Sequence, residues 1–291
     1  MDMYSNTKIK NPKADRSLER FSTVWVVGAS TGIGRALVDE LSVPGRTLFI
    51  SSRSHSDLTK IALEKSHNET GTSLVPLVLD VTDAEKVAQA ANKIAGMNGG
   101  LDMVIVNAGT CEYLDSHPVD MELVKRVFRT NFEGALNVIN SSLPLLKNSS
   151  LAQSDRKPKK PLLVIISSSV TYQALPRAGA YGGSKAALRY FVECMKVDLQ
   201  HENIDVRIVS PGFVKTPLTD KNDFDMPFLL SSQDAAKRIV KGLEGSRFDI
   251  RFPFQLVMLF KLVSWLPDRL RFPLVGRLSR QPSITQTSTL K

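Results

Sequence analysis

Cysteine is scarce in this chain, since only Cys111 and Cys194 occur among its 291 residues. Two cysteines cannot form the disulfide framework of a small secreted fold, so a reducing compartment is expected. No apolar run approaches the roughly 20 residues that a membrane-spanning helix needs. The polar segment 1–20 also lacks the apolar stretch of a secretory signal. These absences predict a cytoplasmic protein.

Acidic residues are nearly missing from the end of the chain. Segment 251–291 holds seven basic residues and a single acid, Asp268, whereas segment 1–250 carries a net charge of only +3 out of the total of +9. A weakly charged body argues against a nucleic-acid partner. The basic tail indicates either a local anionic partner or a solubilising surface.

Short β-branched apolar runs alternate with segments of helical length. Each run is almost continuously apolar, which is typical of strands covered on both faces. The predicted strands are Thr23–Gly28, Thr47–Ser51, Leu74–Leu79, Met103–Val106, Leu162–Ser167 and Val206–Val209. The predicted helices include Gly32–Leu41, Asp83–Ile94, Val119–Leu146 and Ala180–Gln200. This alternation predicts an α/β fold with a doubly wound parallel sheet and helices on both faces.

Composition divides the chain into three parts. A polar extension is expected over residues 1–21, the α/β domain over 22–250, and a basic apolar tail over 251–291. Within the domain, segment 148–160 is polar and ends in proline-flanked basic residues, so it is predicted to be an inserted surface loop.

A glycine-rich turn follows the first predicted strand and precedes a helix. Its G-x-x-x-G-x-G spacing permits a tight turn and close approach of the backbone to a pyrophosphate, whose charge the helix N-terminus favours. Dinucleotide binding is therefore predicted for Gly28, Ser30, Thr31, Gly32, Ile33 and Gly34. Segment 28–32 also fits the G-x-S-x-G elbow of α/β-hydrolases, but that alternative needs a late histidine and none follows His201.

Ser52 and Arg53 directly follow the second predicted strand, and no acid occurs from Arg46 to Ser56. An acid near this position would bind the ribose 2′-hydroxyl of NAD, whereas an arginine can bind the 2′-phosphate of NADP. NADP(H) is therefore the expected cofactor. Asp80, which ends the third strand, and the adjacent Val81 are predicted at the adenine, although aspartate there is also a common turn residue.

Tyr181 and Lys185 lie four residues apart and therefore share one face of a predicted helix. A nearby ammonium is expected to lower the pKa of the tyrosine toward the range useful for acid-base catalysis. Ser168, at the end of the fifth strand, is placed to hydrogen-bond a substrate carbonyl. Asn131 interrupts a helix, which indicates either local bonding in a kink or a water-holding proton relay.

These features together resemble the short-chain dehydrogenase/reductase family, in order and spacing, over roughly residues 22–250. The resemblance implies a Rossmann-like fold of about seven strands and a catalytic set of Asn131, Ser168, Tyr181 and Lys185. It further implies cofactor contacts from Asn107, Ala108, Gly109, Pro211, Gly212, Val214 and Thr216, with Tyr181 and Lys185 also touching the cofactor. No metal is implied. Val106 and the insertion at 148–160, expected at the sheet end away from the ligand, depart from the family pattern.

The implied reaction is hydride transfer between NADP(H) and a carbonyl or secondary alcohol. The segment 217–232, a substrate lid in this family, is rich in apolar residues, which favours a hydrophobic small-molecule substrate; ordinary packing explains it equally well. Family members often form homo-oligomers. A non-catalytic NADPH sensor or membrane-associated interaction protein on the same fold is the alternative, and the complete catalytic set argues against it.

The tail contains a nearly continuous apolar stretch over 252–266 with a polar stripe of Lys261, Ser264 and Asp268 at helical spacing. Basic and apolar residues then interleave up to Arg280. Such a segment is typical of a helix lying on an anionic membrane surface, here 252–280, at the inner face of a membrane. An oligomer contact and a lid over the site are the competing interpretations. Segment 281–291 is expected to be disordered.

Overall fold

The computed structural model describes residues 18–67, 71–114, 118–152, 159–220, 222 and 224–277. Seven parallel strands form one sheet in the order β3-β2-β1-β4-β5-β6-β7. The strands are β1 (Thr23–Val27), β2 (Thr47–Ser52), β3 (Ser73–Val78), β4 (Met103–Val106), β5 (Leu162–Ile166), β6 (Asp205–Pro211) and β7 (Asp249–Phe252). The predicted doubly wound sheet is confirmed, and the six predicted strands match β1 to β6 within two residues at each end.

Helices cover both faces of the sheet. They are α1 (Gly32–Leu41), α2 (His55–His67), α3 (Ala84–Asn98), α4 (Met121–Phe128), α5 (Gly134–Lys147), α6 (Gly179–Asp198), α7 (Ser232–Leu243), α8 (Phe254–Trp265) and α9 (Asp268–Gly276). One apolar core lies beneath α1, α2 and α7, and the other lies beneath α3, α5 and α6. Because β1, β4 and β5 are entirely buried, all their residues except Thr23 are apolar.

The seventh strand has no counterpart among the predicted strands. It pairs only with β6, and its residues alternate in burial, so it lacks the continuous apolar run of a central strand. Its first residue, Asp249, instead accepts hydrogen bonds from Ser210 at 2.9 Å and from Arg189 of α6 at 3.0 Å. Side-chain hydrogen bonds across the fold therefore help to fix this edge strand.

Parts of the fold lie across both expected domain boundaries, at residues 22 and 250. Leu18 and Phe21 belong to the core, and buried Arg46 donates hydrogen bonds to the carbonyl oxygens of Leu18 and Phe21. The domain therefore begins before residue 22, although residues 1–17 lie outside the description. At the other end, β7 continues to Phe252, so the boundary at residue 250 cuts through a strand of the sheet.

The start of the inserted loop lies at the amino-terminal end of the sheet. The Ser149 hydroxyl donates to Asp102, just before β4, at 2.6 Å, and the same carboxylate accepts from the backbone N–H of Ser22, just before β1, at 2.8 Å. Residues 153–158 of the loop lie outside the described part of the chain. The opposite, carboxyl-terminal end of the sheet is where the strand order reverses between β1 and β4, and parallel sheets bind ligands there.

Candidate active site

A crevice of about 510 Å³ opens at the carboxyl ends of β1, β2, β4, β5 and β6. Every residue predicted to contact cofactor or to act in catalysis lines this crevice, apart from Gly34 and Asn131. The lining residues that the sequence also predicted are Gly28, Ser30, Thr31, Gly32, Ile33, Ser52, Arg53, Asp80, Val81, Asn107, Ala108, Gly109, Ser168, Tyr181, Lys185, Pro211, Gly212, Val214 and Thr216. A volume of this size suits a small-molecule or cofactor site.

The glycine-rich turn is held against the end of β4. Gly28 has a φ of +85°, and its carbonyl oxygen accepts a hydrogen bond from the Asn107 side chain at 2.8 Å. A Cβ atom on Gly34 would lie 1.9 Å from that same carbonyl oxygen. Gly34 therefore does not face the crevice; it allows α1 to approach the turn closely enough to close it.

The N-terminus of α1 points its free backbone N–H groups toward the crevice. Thr31 occupies the N-cap position without a side-chain hydrogen bond to the helix, and the first turn contains no acid. Such an end favours an anion through its unpaired N–H groups and the helix dipole. The turn thus fits a phosphate group, as the sequence predicted.

The segment after β2 brings a predicted basic residue and an acidic residue that was not predicted to the crevice. Arg53 is exposed and lines the crevice beside Ser52, as predicted. Asp57, in the first turn of α2, lines it as well, one residue beyond the acid-free segment 46–56. Asp80 accepts two hydrogen bonds from Thr82, both of 2.9 Å, so it forms the turn expected of a strand-end aspartate while also facing the crevice.

Tyr181 and Lys185 lie on α6 as predicted and both face the crevice. The Tyr181 hydroxyl is hydrogen-bonded to Ser168, which caps the 3-10 turn at 169–172 after β5. The Lys185 ammonium donates to the carbonyl oxygen of Ile166 at 3.0 Å. The three side chains therefore meet at the carboxyl end of β5.

The expectation of a lowered tyrosine pKa is not met in the structure. Burial raises the pKa of Tyr181 above its ordinary value, and the hydrogen bond from Ser168 only partly offsets this effect. The Lys185 ammonium is turned toward Ile166, and burial lowers the pKa of Lys185 to about 8. Tyr181 is therefore a protonated phenol at neutral pH, which is the form that can donate a proton.

Asn131 lies in a π-helical turn, Arg129–Glu133, between α4 and α5. Its amide nitrogen donates to the Thr110 carbonyl oxygen at 2.8 Å and to the Ser184 hydroxyl at 3.0 Å, while Oδ1 accepts from the Thr110 N–H at 2.7 Å. Both amide protons are thus used within the protein. The side chain joins the segment after β4 to α6, and π-turns are common near functional sites.

Sequence reasoning missed an aromatic wall near Tyr181, a connected group of the Tyr113, Phe213 and Phe224 rings. Tyr113 contacts Phe224 edge-on at 5.7 Å between ring centres, and Phe224 contacts Phe213 at 6.0 Å. Cys111 is hydrogen-bonded to Tyr113, and burial raises the pKa of both groups. Cys111 and Tyr113 follow Asn107–Gly109 closely in the sequence. Their position just after this strand-end motif was the signal that could have placed them near the site.

The predicted lid folds back onto the crevice. Pro217, Leu218 and Thr219 line it, and the lid's end returns to the sheet through hydrogen bonds of Leu230 with Phe213 and Lys215, of 3.0 and 2.8 Å. Residues 221 and 223 of the lid lie outside the description. The lid thus contributes Phe224 to the aromatic wall.

The described part of the chain lacks the side-chain arrangements that two other types of site need. No cluster there holds three or more side chains suited to a metal. Among the described residues that line the crevice there is no histidine, which the hydrolase alternative requires.

Comparisons with known proteins agree with this geometry. A family model described as short chain dehydrogenase matches residues 22–226. An uncharacterized oxidoreductase of Myxococcus xanthus is 32% identical over 250 residues, which are 86% of this chain and 94% of the relative. The 11-beta-hydroxysteroid dehydrogenase 1A of Arabidopsis thaliana is 28% identical over 268 residues, covering 83% of this chain and 73% of the relative.

A solved structure shows the same fold. The short chain dehydrogenase from Burkholderia cenocepacia J2315, in complex with NADP, superposes with a TM-score of 0.70 at 23% identity, covering 89% of this chain and 98% of that chain. The family model covers more than half of the chain, and the site holds the expected serine, tyrosine and lysine. The chain is therefore an oxidoreductase that belongs to the short-chain dehydrogenase family.

Proposed function

We propose that the chain is an NADP(H)-dependent oxidoreductase that transfers a hydride between the nicotinamide and a carbonyl or secondary alcohol of a hydrophobic substrate. The observation that carries this proposal is the hydrogen bond between the Ser168 and Tyr181 side chains inside the crevice. A proton donor beside a hydroxyl that can bind a carbonyl oxygen suits the reduction direction.

Two features support a dinucleotide in the crevice. The uncapped N-terminus of α1 suits the pyrophosphate. The buried Ser167 hydroxyl, on the crevice wall, has no hydrogen-bond partner among the described residues, and a ligand polar group would satisfy it. Arg53 would bind the 2′-phosphate, and the Burkholderia cenocepacia relative, whose structure contains NADP, supports this choice.

Each residue of the site would have a separate role in the proposed reaction. Bound NADPH would supply the hydride. Ser168 would donate a hydrogen bond to the substrate oxygen, and Tyr181 would deliver its phenolic proton to the same oxygen as negative charge develops there. Lys185 would place a positive charge at the carboxyl end of β5, where Ser168 and Tyr181 meet, and Asn131 would hold the segment after β4 against α6.

The aromatic wall supports a hydrophobic substrate. Tyr113, Phe213 and Phe224 form one connected group of rings, and Tyr113 interacts electrostatically with Tyr181. Aromatic surface of this kind favours a bulky apolar carbonyl compound over a small polar sugar. The name of the Arabidopsis thaliana relative, a hydroxysteroid dehydrogenase, supports the same class.

Arg53→Ala tests the cofactor assignment. A charge-assisted hydrogen bond contributes about 1.5–3 kcal/mol, so the dissociation constant of NADPH should rise by about tenfold or more. The constant for NADH should change by less than about twofold, because NADH lacks the 2′-phosphate. Fluorescence titration of the purified protein with each nucleotide measures both values.

Two matched variants complete this experiment. Lys60→Ala, at an exposed position of α2 away from the crevice, removes the same charge and should leave both constants unchanged. Asp57→Asn removes the nearby acid and should tighten NADPH only, since a carboxylate repels a phosphate. Equal weakening of NADPH and NADH in Arg53→Ala would refute the role given to Arg53.

The pH dependence of reduction tests the role of Lys185. Since the pKa of Lys185 is lowered to about 8, the side chain is charged below that pH and neutral above it. We expect kcat/KM for carbonyl reduction to be level from about pH 6 to 8 and then to fall about tenfold per pH unit. The raised pKa of Tyr181 keeps the phenol protonated across this range. A profile that stays level up to about pH 10, or a Lys185→Met variant that keeps the fall, contradicts this assignment.

A further inference from the structure

Helix α8 is apolar on its outward face. Leu256, Val257 and Phe260 are buried against the domain. The opposite side carries a row of exposed side chains, with exposed fractions from 36% for Met258 to 80% for Trp265. The apolar members of that row are Phe254, Met258, Leu259, Leu262 and Trp265. Only Gln255 adds a polar group to this face.

Two of the three residues of the polar stripe, Lys261 and Ser264, are partly buried against the protein, whereas the third, Asp268, is exposed at the start of α9. The Lys261 ammonium lies 5.1 Å from the centre of the Tyr172 ring, and the Ser264 hydroxyl donates to the Lys261 carbonyl oxygen at 2.8 Å. The usual distribution on a surface helix, with polar residues outward, is therefore reversed. A water-facing role does not account for this arrangement.

Helix α9, which follows α8, exposes further apolar side chains. Val275 is buried, while Leu270, Phe272 and Leu274 are exposed. Eight of the 18 exposed large apolar side chains in the described part of the chain thus lie between residues 254 and 274. We name these eight residues, together with Gln255, the tail surface. Apolar exposure concentrated in this way marks an interaction site.

The charge around the tail surface has one sign. Arg251, Arg269 and Arg277 are exposed, whereas Asp268, the single acid of segment 251–277, is bonded to Arg271 at 2.7 Å. The sequence adds Arg280 and Lys291 after residue 277 and no further acid. An occupant with negative charge and an apolar interior would complement this surface, whereas a second copy of the chain would bring the same positive charge against it.

We propose that the tail surface binds an anionic lipid bilayer, with α8 and α9 lying in the plane of the interface. A 12-residue helix such as α8 is about 18 Å long, which is too short to cross the hydrocarbon core but suits a helix in the headgroup region. Within the described residues, no helix has the length and apolar character required to cross a membrane. Trp265 at the end of α8 is the kind of side chain that membrane interfaces favour.

Helix α8 of the tail surface packs directly against the domain. The backbone N–H of Gly212, on the crevice wall, donates to the Phe252 carbonyl oxygen at 2.7 Å, and a Cβ on Gly212 would lie 2.6 Å from the Leu256 side chain. Binding through α8 would therefore hold the whole domain, with its crevice, at the membrane surface.

Vesicle binding by the full-length protein tests the proposal. With vesicles of phosphatidylcholine and phosphatidylserine, we expect co-sedimentation at least about tenfold stronger than with phosphatidylcholine alone, and weaker binding at high salt. The chain has 2 tryptophans, and Trp25 is fully buried, so a blue shift of emission on binding would report Trp265. Leu262→Glu combined with Trp265→Glu should reduce the partition coefficient at least about tenfold.

Control variants separate this surface from general apolar exposure. Val197→Glu changes an apolar side chain that is 62% exposed on α6, and it should leave vesicle binding unchanged. Arg269→Glu combined with Arg277→Glu should remove the preference for phosphatidylserine. Absence of vesicle binding by the wild-type protein overturns the proposal. It is also overturned if the wild type is a dimer by light scattering that the Leu262 and Trp265 changes dissociate, because the occupant is then a second copy.

Discussion

Replacing Tyr181 by phenylalanine should lower kcat for carbonyl reduction by about a thousandfold or more, because a positioned general acid contributes roughly 10²–10⁴ in rate. The change removes one oxygen atom and keeps the ring, so α6 and the crevice wall retain their packing. Ser168 keeps its place at the end of β5, since it caps the turn at 169–172 independently of Tyr181. The dissociation constant of NADPH should therefore stay within about threefold, as measured by fluorescence titration beside steady-state kinetics.

A matched variant on the same helix makes this result specific. Tyr190 is 73% exposed on α6, so Tyr190→Phe removes a hydroxyl without touching the crevice and should keep full activity. Residual turnover of Tyr181→Phe above about a tenth of the wild type would assign proton donation elsewhere. If the wild type binds NADPH tightly yet reduces nothing in a broad panel of apolar carbonyl compounds, the NADPH sensor on the same fold becomes the better description.

The sequence predicts the centre of the sheet well and its edge poorly, for a physical reason. Strands β1, β4 and β5 are buried on both faces, so each reads as an unbroken apolar run. The edge strand β7 has Asp249 and Arg251 at alternate positions and is recognisable only through its partners on β6 and α6. For the same reason the domain boundary at residue 250 falls inside the fold.

The predicted site residues could be recognised because strand ends and helix starts have local signatures in the sequence. Glycine spacing, a tyrosine and lysine four residues apart, and a serine at a strand end can each be read without knowing the fold. The aromatic wall has no such pattern, since Tyr113 and Phe224 are more than 100 residues apart and meet only in the folded chain. The pKa of Tyr181 was likewise unpredictable, because it depends on burial and on where the Lys185 ammonium points.

Gly34→Ala should abolish tight NADPH binding, with a loss of about 100-fold or more, even though Gly34 does not line the crevice. The added Cβ would lie 1.9 Å from the Gly28 carbonyl oxygen and 2.5 Å from the Asn107 side-chain nitrogen. The first of these atoms belongs to the backbone, so the turn itself must open. The free energy of unfolding should also fall by about 1–3 kcal/mol, the usual cost of overpacking.

Gly96→Ala is the control for this substitution, because it makes the same change inside α3 with no atom within 4 Å of the new Cβ. It should raise the free energy of unfolding by up to about 1 kcal/mol through helix propensity and leave NADPH binding unchanged. Urea unfolding and nucleotide titration of both variants measure the two quantities separately.

A third variant covers the outcome in which Gly34→Ala does not fold. Asn107→Ala removes the 2.8 Å hydrogen bond to Gly28 without adding volume, so the protein should fold and still bind NADPH at least about tenfold more weakly. Normal NADPH affinity in Asn107→Ala, or in a folded Gly34→Ala protein, would mean that the closed turn is not what holds the pyrophosphate. The nucleotide would then depend on the wall formed by Ser167 and the segment 211–216, and variants there would be the ones to lose it.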